Sequence, residues 1–162
     1  MNGVSVPMEF ESLEAKHLPG HSFAEIRFAI SSTEAALVSV VELVRRAMEI
    51  LALDNDWVAR AELCLQEALL NAHFHGNHGD PERTIRVGCI LSSEKIELHV
   101  EDEGTGYPVN RDYSSVDTMH PRGRGLFLIH QLMDSVAFNG AGAHIIMSLS
   151  RSQNHGNQHY AG

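Results

Sequence analysis

Glu67, Asn71 and His75 recur at steps of four, which sets them on one stripe of a helix. A carboxylate and a carboxamide one turn apart can divide a phosphoryl-transfer reaction between them. The carboxylate can take the proton of an attacking hydroxyl. The carboxamide oxygen is a hard donor of the kind Mg²⁺ prefers. At about 100° per residue the stripe lies roughly 100–140° from the centre of the apolar face for Asn71 and Glu67. Such an edge can line a cleft between helix and sheet. The same spacing also suits a polar edge that faces only solvent.

A second stretch, Asp102-Glu-Gly-Thr-Gly106, follows an alternating run in which Ile96, Leu98 and Val100 share one face. Continuing that alternation turns Asp102 inward, toward the core side of a strand. A carboxylate there needs a partner, and a purine exocyclic amine with a water would supply one. Gly104 and Gly106 let the backbone turn and approach a flat ring closely. A plain glycine turn, with Asp102 bonding nearby amides, fits the same residues.

The third stretch is Arg122-Gly-Arg-Gly-Leu126, which opens onto Leu126, Ile129, Leu132 and Met133 at helical spacing. Glycines before a helix start make an amide-lined anion site. Arg122 and Arg124 can add positive charge toward a polyphosphate. The pattern is neither the Walker loop nor the Rossmann fingerprint. The only lysines, Lys16 and Lys95, lie outside all three stretches, so phosphate charge falls to metal, amides and arginine.

The elements that must position these groups are readable from periodicity. Residues 22–30 read as a strand, and Ser31-x-x-Glu34 reads as a capping box for a helix carrying Leu37, Val40, Val41, Val44, Met48 and Leu51. Asp54 to Asp56 offers the cap of a second helix, whose stripe is Val58, Ala61, Leu65, Ala68, Leu69 and Ala72, with Gly76 and Gly79 ending it. Residues 84–91 and 95–101 alternate as strands, 107–122 is a long loop, 126–134 a short helix, and 136–138 and 144–150 are final strands. This order predicts an α+β fold: a two-layer α/β sandwich with a mixed, mostly antiparallel sheet and helices on one face. Residues 1–20 read as a flexible arm, 21–151 as the body, and 152–162 as a disordered tail.

The chain has 162 residues, enough for one core. Its net charge of −9 argues against nucleic acid or an anionic membrane as direct partner. Cys64 and Cys89 stand apart in the sequence with no CxxC, which points to a reduced compartment. No leader and no membrane-spanning run is readable, so a cytoplasmic protein is expected. Histidine is abundant at 11, but His73 and His75 diverge on a helix and no cysteine joins them, which disfavours zinc. Cys64 and Trp57 read as packing residues rather than as a nucleophile or a ligand platform, and Tyr107 and Tyr113 as loop packing.

Taken together, the three stretches resemble the GHKL ATPase superfamily and its Bergerat ATP-binding fold. Glu67 to Gly76 is similar to the N box, Asp102-x-Gly104-x-Gly106 to the G1 box, and Arg122 to Ile129 to the G2 box. The loop between the last two is similar to the ATP lid. Within the superfamily the size and the Glu-Ala-x-x-Asn-Ala and Gly-Arg-Gly-Leu patterns look like the anti-sigma factor serine/threonine kinases. The resemblance implies ATP and Mg²⁺ as cofactors. It implies Glu67 as general base, Asn71 as metal ligand, and Asp102 as reader of the adenine amine. It places His75, Gly104, Gly106, Gly123, Arg124, Gly125 and Leu126 with Asn71 and Asp102 around the nucleotide. As partners it implies an anti-sigma factor antagonist of the STAS-domain type and, in some members, a sigma factor, with a homodimer as a further option. The substrate would be a Ser or Thr of the antagonist.

One departure stands out. The family often carries Gly-Thr before its last strand, whereas this chain has Gly140-Ala-Gly142-Ala143. A missing hydroxyl costs one hydrogen bond, typically about 0.5–1.5 kcal/mol, and is expected to weaken ATP binding without abolishing it. Two other readings remain open at this stage. One is a non-catalytic nucleotide-binding module that acts by sequestering a partner. The other is a histidine kinase catalytic domain, disfavoured because no helical dimerisation pattern precedes residue 22.

Overall fold

The computed structural model describes residues 8–18, 21–106, 124–139 and 143–151. The loop 107–122, Gly123, Gly140, Gly142 and the tail 152–162 lie outside the described residues. So do residues 1–7, 19 and 20.

Among the described residues, six strands and three α-helices follow one another. β1 (Met8–Leu18) and β2 (His21–Ser31) precede α1 (Glu34–Ile50) and α2 (Asn55–Asn71). A π-helical turn (Ala72–Gly76) continues α2, followed by β3 (Thr84–Ser92), β4 (Lys95–Glu101), α3 (Arg124–Leu132), β5 (Ser135–Asn139) and β6 (His144–Ser150). The sheet runs in the order β1-β2-β3-β4-β6-β5. Every pairing is antiparallel, so the parallel component expected of a mixed sheet is absent among the described strands.

The strands are one-sided. Ile26, Phe28 and Ile30 of β2, Ile85, Val87 and Leu91 of β3, Leu98 of β4, and Met147 of β6 are buried under the helices. The alternate residues of these strands are half-buried or exposed, as the period of two requires. The opposing layer is built from Val40, Val44 and Met48 of α1, Leu65 and Leu69 of α2, and Ile129 of α3. α2 lies centrally and touches α1, α3, β4 and β6.

Two sequence expectations change. The arm expected over 1–20 contains β1, which pairs with β2 along its length and slips register between Phe10 and Ser12. The apolar positions of the sequence change phase across that slip, from 8 and 10 to 13 and 15, which hides the strand from a search for period two. The expected capping box at Ser31 is also displaced. Ser31 still belongs to β2, paired with Thr84. Thr33 is the cap, accepting from the Ala36 N–H at 3.4 Å. The cap of α2 is Asp54, as expected, accepting from the Asp56 and Trp57 amides. Arg60 of α2 donates to the Leu132 carbonyl at 2.8 Å, which fastens the last turn of α3 against α2.

Candidate functional site

α2 presents Glu67 and Asn71 on the edge of its buried stripe, both half-buried. Both face the first turn of α3. A β-carbon built on Gly125 would stand 2.6 Å from Glu67 Oε2, 3.3 Å from Asn71 Nδ2 and 3.7 Å from Asn71 Oδ1. Position 125 therefore accepts only a residue without a side chain unless these groups move. Arg124 begins α3 and is exposed, while Leu126 is buried and holds the helix onto the core. Asn71 Nδ2 is buried with no hydrogen-bond partner among the described residues. A buried amide without a partner costs free energy, and here it sits beside a carboxylate at a helix start.

The helical step of four does not continue to His75. From Ala72 the chain winds as a π turn, and the wider turn rotates the following residues off the stripe. His75 is exposed and Gly76 buried. The turn instead delivers Gly76 to the strand end. Its missing side chain is filled by the Asp102 carboxylate, which a β-carbon at 76 would overlap.

Asp102 is 8% exposed, so the inward phase read from β4 holds. Its Oδ1 accepts from the Gly104 N–H at 2.7 Å, and its own N–H donates to the Ala143 carbonyl at 3.0 Å. Burial pushes the carboxyl above its usual range, the Gly104 hydrogen bond pulls it back, and the neighbouring Glu101 pushes it up again. Gly104 is equally tight, since a β-carbon there would meet the Gly76 carbonyl and stand 2.8 Å from Asp102 Oδ1. Gly106 has φ +84°, a left-handed conformation that suits glycine. The structure thus gathers Glu67, Asn71 and Gly125 in one cluster and Gly76, Asp102 and Gly104 in a second, with the end of α2 and its π turn running from one to the other. Gly123 falls outside the described residues. Position 143, expected to matter through a lost hydroxyl, reaches Asp102 through its backbone carbonyl.

Three residues of this region make buried contacts that the sequence does not announce. Asn77 is fully buried, with both ends of its amide engaged. His73 and Ser32 are buried together, Ser32 Oγ lying 2.9 Å from His73 Nδ1. That contact ties the π turn to the start of α1. The signal for Asn77 is the polar and glycine run from His75 to Asp80, which reads equally well as a simple helix stop.

The donor set fits a magnesium nucleotide. Half a turn of the Asn71 carboxamide exchanges nitrogen for oxygen and would offer a hard donor beside Glu67. Gly76 and Gly104 close directly on the Asp102 carboxylate, which leaves it as the polar group at the end of β4.

A family profile described as histidine kinase-like ATPase domain matches residues 30–149. The chain is 27% identical over 108 residues to an anti-sigma F factor of Oceanobacillus iheyensis, covering 60% of this chain and 74% of that protein. It is 27% identical over 97 residues to the serine-protein kinase RsbW of Listeria monocytogenes serotype 4a, covering 54% of this chain and 62% of that one. It is 29% identical over 97 residues to RsbW of Oceanobacillus iheyensis, covering 54% and 61%. The chain thus spans about six tenths of the length of these two kinases.

Proposed function

The chain belongs to the histidine kinase-like ATPase domain family, and from that premise we propose that it is an ATP-dependent serine/threonine protein kinase of the anti-sigma factor type. Its substrate would be a Ser or Thr of an anti-sigma factor antagonist with a STAS domain, and it would act in a partner-switching circuit in the cytoplasm. The observation that supports this most is the convergence of Glu67 and Asn71 on Gly125. A base and a metal ligand both face a helix start, which is where phosphates bind best.

Bound Mg-ATP supplies the transferable phosphoryl group and the metal charge that neutralises it. Asp102 would accept from the purine amine, its carboxylate held between Gly76 and Gly104. Asn71 offers its amide oxygen to Mg²⁺. Arg124 and the first amides of α3 would meet the phosphate charge, since no lysine lies in any of the three stretches. Glu67 takes the proton of the attacking hydroxyl as the new O–P bond forms and ADP leaves. A sigma factor as second partner and a homodimer both belong to this reading.

Calorimetric titration with Mg-ATP and Mg-ADP tests the site. Incubation with Mg-ATP and an antagonist recovered by pull-down tests the reaction, and phosphoserine or phosphothreonine is the expected product. Glu67→Gln should cut transfer by about 10²–10⁴-fold while leaving ATP affinity nearly unchanged. Tight nucleotide binding with no transfer to any partner would assign the chain to sequestration instead.

A further inference from the structure

Asn77 lies immediately after the π turn with no exposed surface. Burying a carboxamide is costly unless both ends are paired, and here they are. Oδ1 accepts from the Glu103 N–H at 2.9 Å, and Nδ2 donates to the Thr84 carbonyl at 3.1 Å. The Thr84 N–H in turn donates to Glu103 Oε2 at 3.1 Å. Asn77, Thr84 and Glu103 therefore close a ring of three hydrogen bonds. The backbone N–H of Asn77 also closes the π turn on the Ala72 carbonyl at 2.7 Å.

This ring joins three segments distant in sequence: the end of the π turn, the first residue of β3 and the turn after β4. Glu103 is the next residue after Asp102, and Gly76 is the residue before Asn77. Asn77 thus holds both surfaces that fix the Asp102 carboxylate, the Gly76 backbone on one side and the 102–104 turn on the other. The Asp102 N–H to Ala143 hydrogen bond secures the strand but does not set the turn.

We propose that Asn77 is a positioning residue for purine recognition, holding Asp102 where it separates a 6-amino from a 6-oxo purine. The inference rests on the reading of Asp102 as the base-contacting carboxylate. A carboxylate accepts from the 6-amino group, whereas a 6-oxo group presents a second acceptor and is repelled. That discrimination depends on placement to within a fraction of an ångström. A residue with only a structural role would weaken all nucleotides alike.

The test uses the full chain and two triphosphates that differ at purine position 6, Mg-ATP and Mg-ITP, titrated calorimetrically alongside a thermal melt. Asn77→Ala should lower the ATP-to-ITP affinity ratio by about tenfold, the worth of one displaced charge-assisted hydrogen bond. Val44→Ala, a buried α1 residue outside the site, should lower the melting temperature and preserve the ratio. Should Asn77→Ala fail to fold, Glu103→Ala, at an exposed position, opens the same ring by removing only the acceptor of the Thr84 N–H, and it should show a smaller fall in the ratio. An unchanged ratio in the ring variants, or an equal fall in Val44→Ala, overturns the proposal. A wild-type chain that binds neither triphosphate overturns the nucleotide reading itself.

Discussion

Gly125 and Glu67 meet so closely that a β-carbon at 125 would stand 2.6 Å from the Glu67 carboxylate. Two stretches far apart in the chain, one ending α2 and one opening α3, thereby share a single wall. The contact explains why glycine sits inside a helix, where it costs roughly 1 kcal/mol against alanine. Helix propensity has yielded to the close approach of Glu67 and Asn71.

Gly125→Ala follows from that contact. Were that contact irrelevant, alanine would stabilise α3. The expected result is a fold of nearly unchanged melting temperature whose phosphoryl transfer falls about 10²-fold, because displacing a base by roughly an ångström has that cost. Initial rates with Mg-ATP, set beside a circular-dichroism melt, measure both.

Asp102→Asn separates binding from stability. Burial raises the folded pKa of Asp102 above its ordinary 3.8, so the folded state favours the protonated acid. The associated stability is fully present below the ordinary value and is lost as pH rises through the raised one. Once pH has passed the raised pKa, the ionised carboxylate destabilises the ligand-free protein, and the asparagine variant should melt higher. The gain should vanish as pH falls below about 4, where aspartate is neutral in either state. ATP affinity should drop about tenfold or more. Melts across pH and one titration check the two halves independently.

The inward phase of Asp102 was readable because β4 buries one face, which makes its alternation strict from Ile96 to Val100. The same logic made β3 and β6 plain. What stayed hidden was local winding. A step of four from Glu67 to His75 assumes an α-helix throughout, yet the π turn from Ala72 redirects His75 to solvent and Gly76 to Asp102. Hydrophobic pattern cannot register that change, since Ala72 and Gly76 are small and buried either way. Asn77 and His73 were illegible for a related reason. Their partners, Glu103, Thr84 and Ser32, come from other elements, and only the closed fold brings them near.

Ser32→Ala tests the tie between the π turn and α1. The variant leaves His73 Nδ1, buried at 6% exposure, without its Ser32 partner. Orphaning a buried polar atom costs about 1–3 kcal/mol. Urea denaturation should show that loss as a lower midpoint with an unchanged slope. A neutral result would mean that His73 finds another partner.

His144 gives the sheet face turned away from the described helices a pH response. Its Nε2 lies 3.1 Å from His99 Nδ1. Burial first, and the His99 ring second, hold His144 below its ordinary 6.5, with Glu101 opposing. The folded state thus favours neutral His144, and its contribution is present above about 6.5 and lost as pH falls, because the unfolded chain takes the proton first. Glu97, held below 4.5 chiefly by its hydrogen bond to Lys95, stays ionised across this window. His144→Asn removes the titrating group while keeping a polar partner for His99. Between pH 7.5 and 5.5 (settings of about one unit to either side of 6.5) the wild-type melting temperature should fall further than that of the variant. Equal falls would place the pH response elsewhere in the molecule.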